Sequence, residues 1–150
     1  MSLSVVLVKL SQTAWSPATV PGSQMRIFVV DDHEVVRKGV RSVLRARKNL
    51  EVCGEASNGQ EAVLKALSLN PDLILMDVTM PVLDGLSATR QIKETLPQIP
   101  IIILSVHDGP EMIHAAQAAG AQGFVTKSAV APALLKAVDA VLRGETFFAD

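Results

Sequence analysis

The chain has few of the residues that would tie it to a disulfide framework, a membrane or a nucleic acid. Its single cysteine, Cys53, excludes an internal disulfide and any multi-cysteine metal site. No unbroken apolar run exceeds four residues, whereas a membrane span needs roughly 18. The 14 basic and 15 acidic residues leave a net charge of -1, without the positive field of a dedicated nucleic-acid binder. These absences predict a soluble, cytoplasmic protein in which any nucleic-acid binding would have to be local.

Composition divides the chain at Met25. Residues 1–24 carry one charge, Lys9, together with two prolines and many serines and threonines. We predict an N-terminal extension or tag there that is not part of the core, with an extra strand at residues 5–8 as the alternative. Charge and helical periodicity begin at Met25, so residues 25–150 are predicted to form one domain around a single core.

Apolar runs of strand length alternate with segments of helical period from Met25 onward. The runs lie at 27–30, 52–53, 73–76, 101–104 and, more weakly, 123–126. Continuous apolar character is typical of strands covered on both faces, as in a parallel sheet. Pro110 fits the first turn of one intervening helix, and Gly144 fits the C-terminal cap of the last one. The pattern predicts an α/β domain, a doubly wound (βα)5 flavodoxin-like sandwich with a five-stranded parallel sheet.

Polar side chains stand where the predicted strands end. Asp31 and Asp32 follow the first strand and Asp77 ends the third, while Ser105 and Lys127 end the fourth and fifth. In such sheets, ligands bind at the carboxyl ends of the strands. Clustered carboxylates repel one another, and a hard, oxygen-liganded cation such as Mg²⁺ relieves that repulsion. Helix capping explains any one of these aspartates more simply, but not the group of residues together.

These residues resemble a known family, the receiver domain of bacterial two-component response regulators. The matching pieces are the Asp31-Asp32 pair, Asp77 in LILMDVTMPVLDG, Ser105 in IIILSVH and Lys127 in GAQGFVTKS. The spacing agrees too, with 45 positions from Asp32 to Asp77, 28 from Asp77 to Ser105 and 22 from Ser105 to Lys127. The DDH start and the Lys-Ser ending look most like the NarL/FixJ branch, whose members usually carry a LuxR-type helix-turn-helix output domain.

The resemblance implies a role for each matched position. Asp77 would be the phosphoryl acceptor, and Lys127 would pair with it and then with the phosphoryl group. Mg²⁺, or Mn²⁺ in its place, would be held by Asp31, Asp32, Asp77 and the backbone carbonyl of Thr79. The reaction would be limited to the domain's own phosphorylation and dephosphorylation, so the chain is expected to be a signalling switch and not a turnover enzyme.

Further matched positions would carry the response. Ser105 would donate its hydroxyl to the phosphoryl oxygens, and Phe124 would change rotamer. The chain has no tyrosine, so Phe124 would signal by packing alone. Thr79 and His107 would tune how quickly the phosphoryl group is lost. Many receivers have proline after the lysine with a cis bond there, whereas Ser128 follows Lys127 here, which leaves the geometry of that bond open.

The family also implies partners. A sensor histidine kinase would donate the phosphoryl group, and the phosphorylated domain would form a homodimer. DNA would be bound only through an output domain absent from this chain, and no membrane contact is expected.

Two other classes share part of the pattern. A phosphatase of the haloacid-dehalogenase type also uses a strand-end aspartate and Mg²⁺, but it needs a second acid two positions on, where Thr79 stands. A flavodoxin-like FMN module needs a phosphate-cradling loop after the first strand, where Asp31 and Asp32 would repel phosphate. We interpret His33 as a surface or packing residue, and the six basic residues within positions 37–48 as a solvated helix face.

Overall fold

Strands and helices alternate along residues 24–148, the part of the chain that the computed structural model describes. The five predicted strands are β1 (Met25–Val30), β2 (Leu50–Ala56), β3 (Leu73–Asp77), β4 (Ile101–Ser105) and β5 (Gly123–Thr126). Each is followed by a helix, α1 (Glu34–Leu44), α2 (Gly59–Leu69), α3 (Gly85–Thr95), α4 (Pro110–Ala119) or α5 (Val130–Leu142). The prediction of an extension at residues 1–24, with its alternative strand at 5–8, lies outside the described residues apart from Gln24.

Over residues 24–148 the sheet has six strands, the five predicted ones and a short one that the prediction missed. Its order is β2-β1-β3-β4-β5-β6, and every pair is parallel. The sixth, β6 (Phe147–Phe148), follows Gly144, whose positive φ of 87° ends α5 in the left-handed region that favours glycine. The N–H of Phe147 then donates to the carbonyl of Gln122. Two residues are too few to show a strand pattern in the sequence.

Alternate residues of the central strands face opposite helical layers. Ile27 and Val29 pack with the apolar stripes of α1 and α5, whereas Phe28 and Val30 pack with those of α2, α3 and α4. All four side chains are at most 1% exposed. Coverage on both faces explains why the strands have continuous apolar runs, and it confirms the doubly wound α/β architecture.

The strand order reverses at β1, which has β2 on one side and β3 on the other. In open α/β sheets, the crevice at such a reversal lies outside the carboxyl ends of the strands and is the usual ligand site. The fold therefore brings the ends of β1 and β3 together as neighbours. Within residues 24–148, no helix combines the length and the apolar character needed to cross a membrane.

Candidate functional site

Four predicted site residues lie at the carboxyl edge of the sheet and are largely shielded from solvent. Asp31 directly follows β1, Asp77 ends β3, Ser105 ends β4 and Lys127 follows β5. Asp31 and Ser105 are each 1% exposed and Asp77 is 4% exposed. Each residue lies at this edge because it ends or directly follows a buried apolar strand of the parallel sheet.

Lys127 bridges two of the carboxylates. Its Nζ lies 2.7 Å from Oδ2 of Asp31 and 3.0 Å from Oδ1 of Asp77. The pairing with Asp77 was expected, but the shorter contact with Asp31 was not. In the described chain no peptide bond is cis, so the Lys127-Ser128 bond is trans.

The electrostatics of this buried group follow from burial and from the shared lysine. Burial raises the pKa of Asp77, the hydrogen bond from Lys127 opposes that rise, and the charge of Asp31 adds to it, with a raised pKa as the net result. Burial alone would lower the pKa of Lys127, but hydrogen bonds to Asp31 and Asp77 outweigh it and leave that pKa raised. The two directions have one physical origin: burial disfavours the charged form of Asp77, and the shared contacts with the two carboxylates favour the charged form of Lys127.

Acidic side chains from β1 and β3 form a cluster with room for a cation. Asp31, Asp32, His33 and Asp77 each offer one ligand atom, and these atoms all lie within 4.8 Å of one another. Oδ1 of Asp32 is buried and has no hydrogen-bond partner in the described part of the chain. An orphaned carboxylate oxygen beside two further carboxylates suits a hard divalent cation, so the residues present fit the expected metal.

The loop from β3 to α3 packs tightly against the site. A Cβ at Gly85 would lie 1.7 Å from the carbonyl oxygen of Asp77, which no neighbouring movement could relieve cheaply because that atom is backbone. Asp84 caps α3 by accepting a hydrogen bond from the N–H of Ser87. Thr79 lies in this loop and is exposed.

The remaining predicted residues lie along β4 and β5. Oγ of Ser105 accepts a hydrogen bond of 3.0 Å from the N–H of His107, which is itself exposed. Ser105 is paired in register with Thr126, two residues after Phe124. Phe124 is 0% exposed, so its ring lies wholly inside the fold in this conformation.

One residue that supports the site was misread as part of a solvated helix face. Arg37 of α1 has a side chain only 17% exposed. Its Nη1 donates to the carbonyl oxygen of Asp31 at 2.6 Å, and its Nε donates to Oε1 of Glu55 at 2.8 Å. Arg37 thus ties the backbone beside the acidic pair to the end of β2. The sequence gives no direct signal for this contact, because Glu55 lies 18 residues away.

Comparisons with known proteins agree with this geometry. The family model for the response regulator receiver domain matches residues 27–139. The response regulator protein VraR of Staphylococcus aureus is 41% identical over 124 residues, which are 83% of this chain and 59% of VraR. The chain therefore spans less than two thirds of the length of that relative.

Two solved structures are similar in fold as well as in sequence. A two-component response regulator of the LuxR family from Aurantimonas sp. SI85-9A1 has a TM-score of 0.80 and 37% identity, over 83% of this chain and 89% of that one. The signal receiver domain of the response regulator NarL from Mycobacterium tuberculosis has a TM-score of 0.77 and 30% identity, over 82% of this chain and 99% of that one. The chain belongs to the response regulator receiver domain family of two-component signalling, with LuxR-family proteins among its relatives.

Proposed function

We propose that Asp77 accepts the phosphoryl group, and that it does so with a divalent cation held by the neighbouring carboxylates. The observation that carries this proposal is the convergence at Asp77 itself: its buried carboxylate lies 3.0 Å from the ammonium of Lys127 and within one cluster with Asp31 and Asp32. A purely structural aspartate would not need both a lysine and two further acids beside it.

Within the described residues, the contacts of the Asp77 carboxylate are made by one of its two oxygens. Oδ1 lies beside Lys127 and accepts a hydrogen bond of 2.9 Å from the N–H of Val78. Oδ2 is therefore the oxygen that attacks phosphorus. A new O–P bond forms, the bond from phosphorus to the donor atom breaks, and the electron pair leaves with the donor. Lys127 compensates the negative charge that the acyl phosphate adds.

The cation site is assigned to Asp31, Asp32, Asp77 and the backbone carbonyl of Thr79, with Mg²⁺ as the ion and Mn²⁺ able to replace it. The buried, unpartnered Oδ1 of Asp32 supports a direct ligand role for that side chain. When bound, the ion neutralises the phosphoryl oxygens so that an anionic donor can approach three carboxylates.

The response is assigned to Ser105 and Phe124. Moving the Ser105 hydroxyl toward new phosphoryl oxygens would break its contact with the N–H of His107 and loosen the start of the β4–α4 connection. Phe124 would then repack, and α4 would follow as a two-state element. Thr79 and His107 are proposed to set how fast the phosphoryl group is lost.

The partners proposed for the whole protein come from its relatives. A sensor histidine kinase is the donor, and the phosphorylated domain forms a homodimer. An output domain outside this chain binds DNA, in keeping with the LuxR family named for one similar structure. We propose that the protein works in the cytoplasm as a switch and does not turn over small molecules.

A small phosphodonor tests the acceptor. Acetyl phosphate with Mg²⁺ should add one phosphoryl group, read as intact mass, and EDTA should abolish the reaction. Asp77→Asn should prevent it, and Asp32→Ala should greatly weaken Mg²⁺ binding. Asp108→Asn is the matched control, because Asp108 is an exposed carboxylate that follows β4 at the same edge of the sheet. Equal phosphorylation of Asp77→Asn, or an undiminished reaction in EDTA, would overturn the assignment.

The dimer is tested separately. Beryllofluoride with Mg²⁺ should mimic the phosphoryl group, and sedimentation velocity should then show the chain shift from monomer to dimer. The Asp77→Asn protein should stay unchanged under the same conditions. A chain that binds beryllofluoride and remains monomeric would remove the dimer from the proposal without affecting the acceptor.

A further inference from the structure

We infer that His33 is a further ligand of the cation site, and that its imidazole makes the site prefer borderline transition-metal ions such as Zn²⁺ over Mg²⁺. This inference rests on the proposed function, because it concerns the cation held beside Asp77. It departs from our sequence-based interpretation of His33 as a surface or packing residue.

The ring of His33 lies against both members of the acidic pair. Its Nδ1 is 3.0 Å from Oδ1 of Asp32 and 3.4 Å from Oδ1 of Asp31. A ring nitrogen of His33 belongs to the cluster in which every ligand atom lies within 4.8 Å of the others, Asp77 included. Donor atoms bound at neighbouring positions around one ion, about 2.1 Å from it, lie about 3 Å apart.

These short contacts have the distances of hydrogen bonds without the required arrangement. Oδ1 of Asp32 has no hydrogen-bond partner in the described part of the chain, even with Nδ1 of His33 at 3.0 Å. Oδ1 of Asp31 accepts its hydrogen bond from the backbone N–H of His33, at 2.9 Å, and not from the ring. A metal ion bound by both the imidazole nitrogen and the carboxylate oxygen would hold them at this separation.

The charge of the site also leaves room for such an ion. Among residues 24–148, Lys127 is the one lysine or arginine in direct contact with the carboxylates of Asp31 and Asp77, and Asp32 has an ion-pair contact with His33 alone. The side chain of His33 is 66% exposed, so it can turn toward an incoming ion without disturbing the core.

Ligand chemistry then sets the preference. Carboxylate oxygens alone suit Mg²⁺, whereas a neutral imidazole adds affinity for Zn²⁺, Ni²⁺ and other borderline ions and adds little for Mg²⁺. Such an ion would compete with Mg²⁺ for Asp32 and Asp77. The identity of the bound metal thereby becomes a second input to the site, besides the phosphoryl donor.

Calorimetric titration of the full chain, prepared without a polyhistidine tag, tests this inference with Zn²⁺ and Mg²⁺ as separate probes. His33→Asn should weaken Zn²⁺ binding at least about tenfold, the loss that even an outer-shell partner of a metal ligand causes. Its Mg²⁺ affinity should change less than twofold. His114→Asn is the matched control, since His114 is exposed on α4 outside the cluster, and it should match the wild type with both ions.

A spectroscopic readout on the wild type removes any dependence on the folding of the variant. In ¹⁵N NMR of the imidazole nitrogens, Zn²⁺ should shift the Nδ1 resonance of His33 and leave that of His114 in place. Unchanged Zn²⁺ affinity in His33→Asn, an unmoved Nδ1 resonance, or an equal loss for Zn²⁺ and Mg²⁺ would each overturn the inference. A wild type that binds no Mg²⁺ at all would instead contradict the proposed cation site, and with it the Mg²⁺-dependent phosphorylation of Asp77.

Discussion

Lys127 is paired more closely with Asp31 than with Asp77, the residue that it was expected to serve. The two distances from its Nζ are 2.7 Å and 3.0 Å, and the three side chains are 14%, 2% and 6% exposed. One buried ammonium therefore compensates two buried carboxylates from different strands. β1 and β3 are neighbours at the reversal of strand order, so the contacts of Lys127 with Asp31 and Asp77 also link the carboxyl ends of these two strands.

Replacing Lys127 with Met should destabilise the protein without Mg²⁺ and strengthen its binding of Mg²⁺. The change leaves Asp31 and Asp77 buried without a cation, which costs about 3 kcal/mol of unfolding free energy. It also removes a positive charge that repels the incoming ion. Urea unfolding in EDTA and calorimetric titration with Mg²⁺ measure the two effects.

The control for this change is Lys136→Met, at an exposed lysine of α5. It should match the wild type in both measurements. If Lys127→Met lost no stability in EDTA, the shared ion pair would not be compensating the two carboxylates.

Replacing Ser105 with Ala should leave phosphorylation intact and weaken its structural consequence. The variant loses the hydroxyl that now accepts from the N–H of His107 and that is proposed to move toward the phosphoryl group. NMR shifts of Phe124 and of α4, compared with and without beryllofluoride, should change less than in the wild type. Ser128→Ala, at an exposed hydroxyl nearby, should respond as the wild type does. A full response in Ser105→Ala would exclude the coupling.

The sequence predicts the strands and helices of this protein better than it predicts the contacts between its side chains. Buried parallel strands leave continuous apolar runs, and Pro110 does begin α4 as expected. Strand-end polar residues follow from the same pattern, which is why the edge that carries Asp77 was predictable. The pairing of Lys127 with Asp31 was not, because chain spacing brings side chains to an edge without saying which pair will meet. Strand β6 is too short to show a period, and it too was missed.

Lys93 should make stability depend on pH in the alkaline range. Burial lowers its pKa to about 8 from the ordinary 10.5. Between these values the unfolded chain binds more protons than the folded one, so the free energy of unfolding should rise as the pH increases from 8 to 10.5. The chain has no tyrosine to titrate in that range.

The test compares the wild type with Lys93→Met by urea unfolding across this range of pH. The variant also loses the hydrogen bond from Nζ to the carbonyl of Ile99, which lowers its stability at every pH, so the slope is the readout. Burial raises the pKa of Cys53, and that opposing contribution is common to both proteins. Equal slopes would mean that Lys93 keeps its ordinary pKa in the folded protein.

Val82 adopts a backbone conformation that a β-branched residue rarely takes. Its φ is 71°, and the N–H of Leu83 donates to the carbonyl of Pro81 at 2.8 Å, which closes a tight turn around it. Its side chain is 80% exposed, so packing offers little compensation. The turn lies in the loop from β3 to α3, where Gly85 packs against Asp77 and fixes the path of the chain. The strain at Val82 is therefore imposed by the loop that shapes the site.

Replacing Val82 with Asn should stabilise the protein by about 1 kcal/mol, because asparagine adopts a positive φ more readily than a β-branched residue does. A thermal melt in EDTA should show a midpoint about 3 °C higher. Val106→Asn is the matched control, since Val106 is 68% exposed but lacks a positive φ. If both variants gained equally, the loss of an exposed apolar side chain would explain the result, and the turn at Val82 would store no strain. A gain confined to Val82→Asn, with Mg²⁺ affinity unchanged, would show that the strain can be relieved without altering the geometry of the cation site.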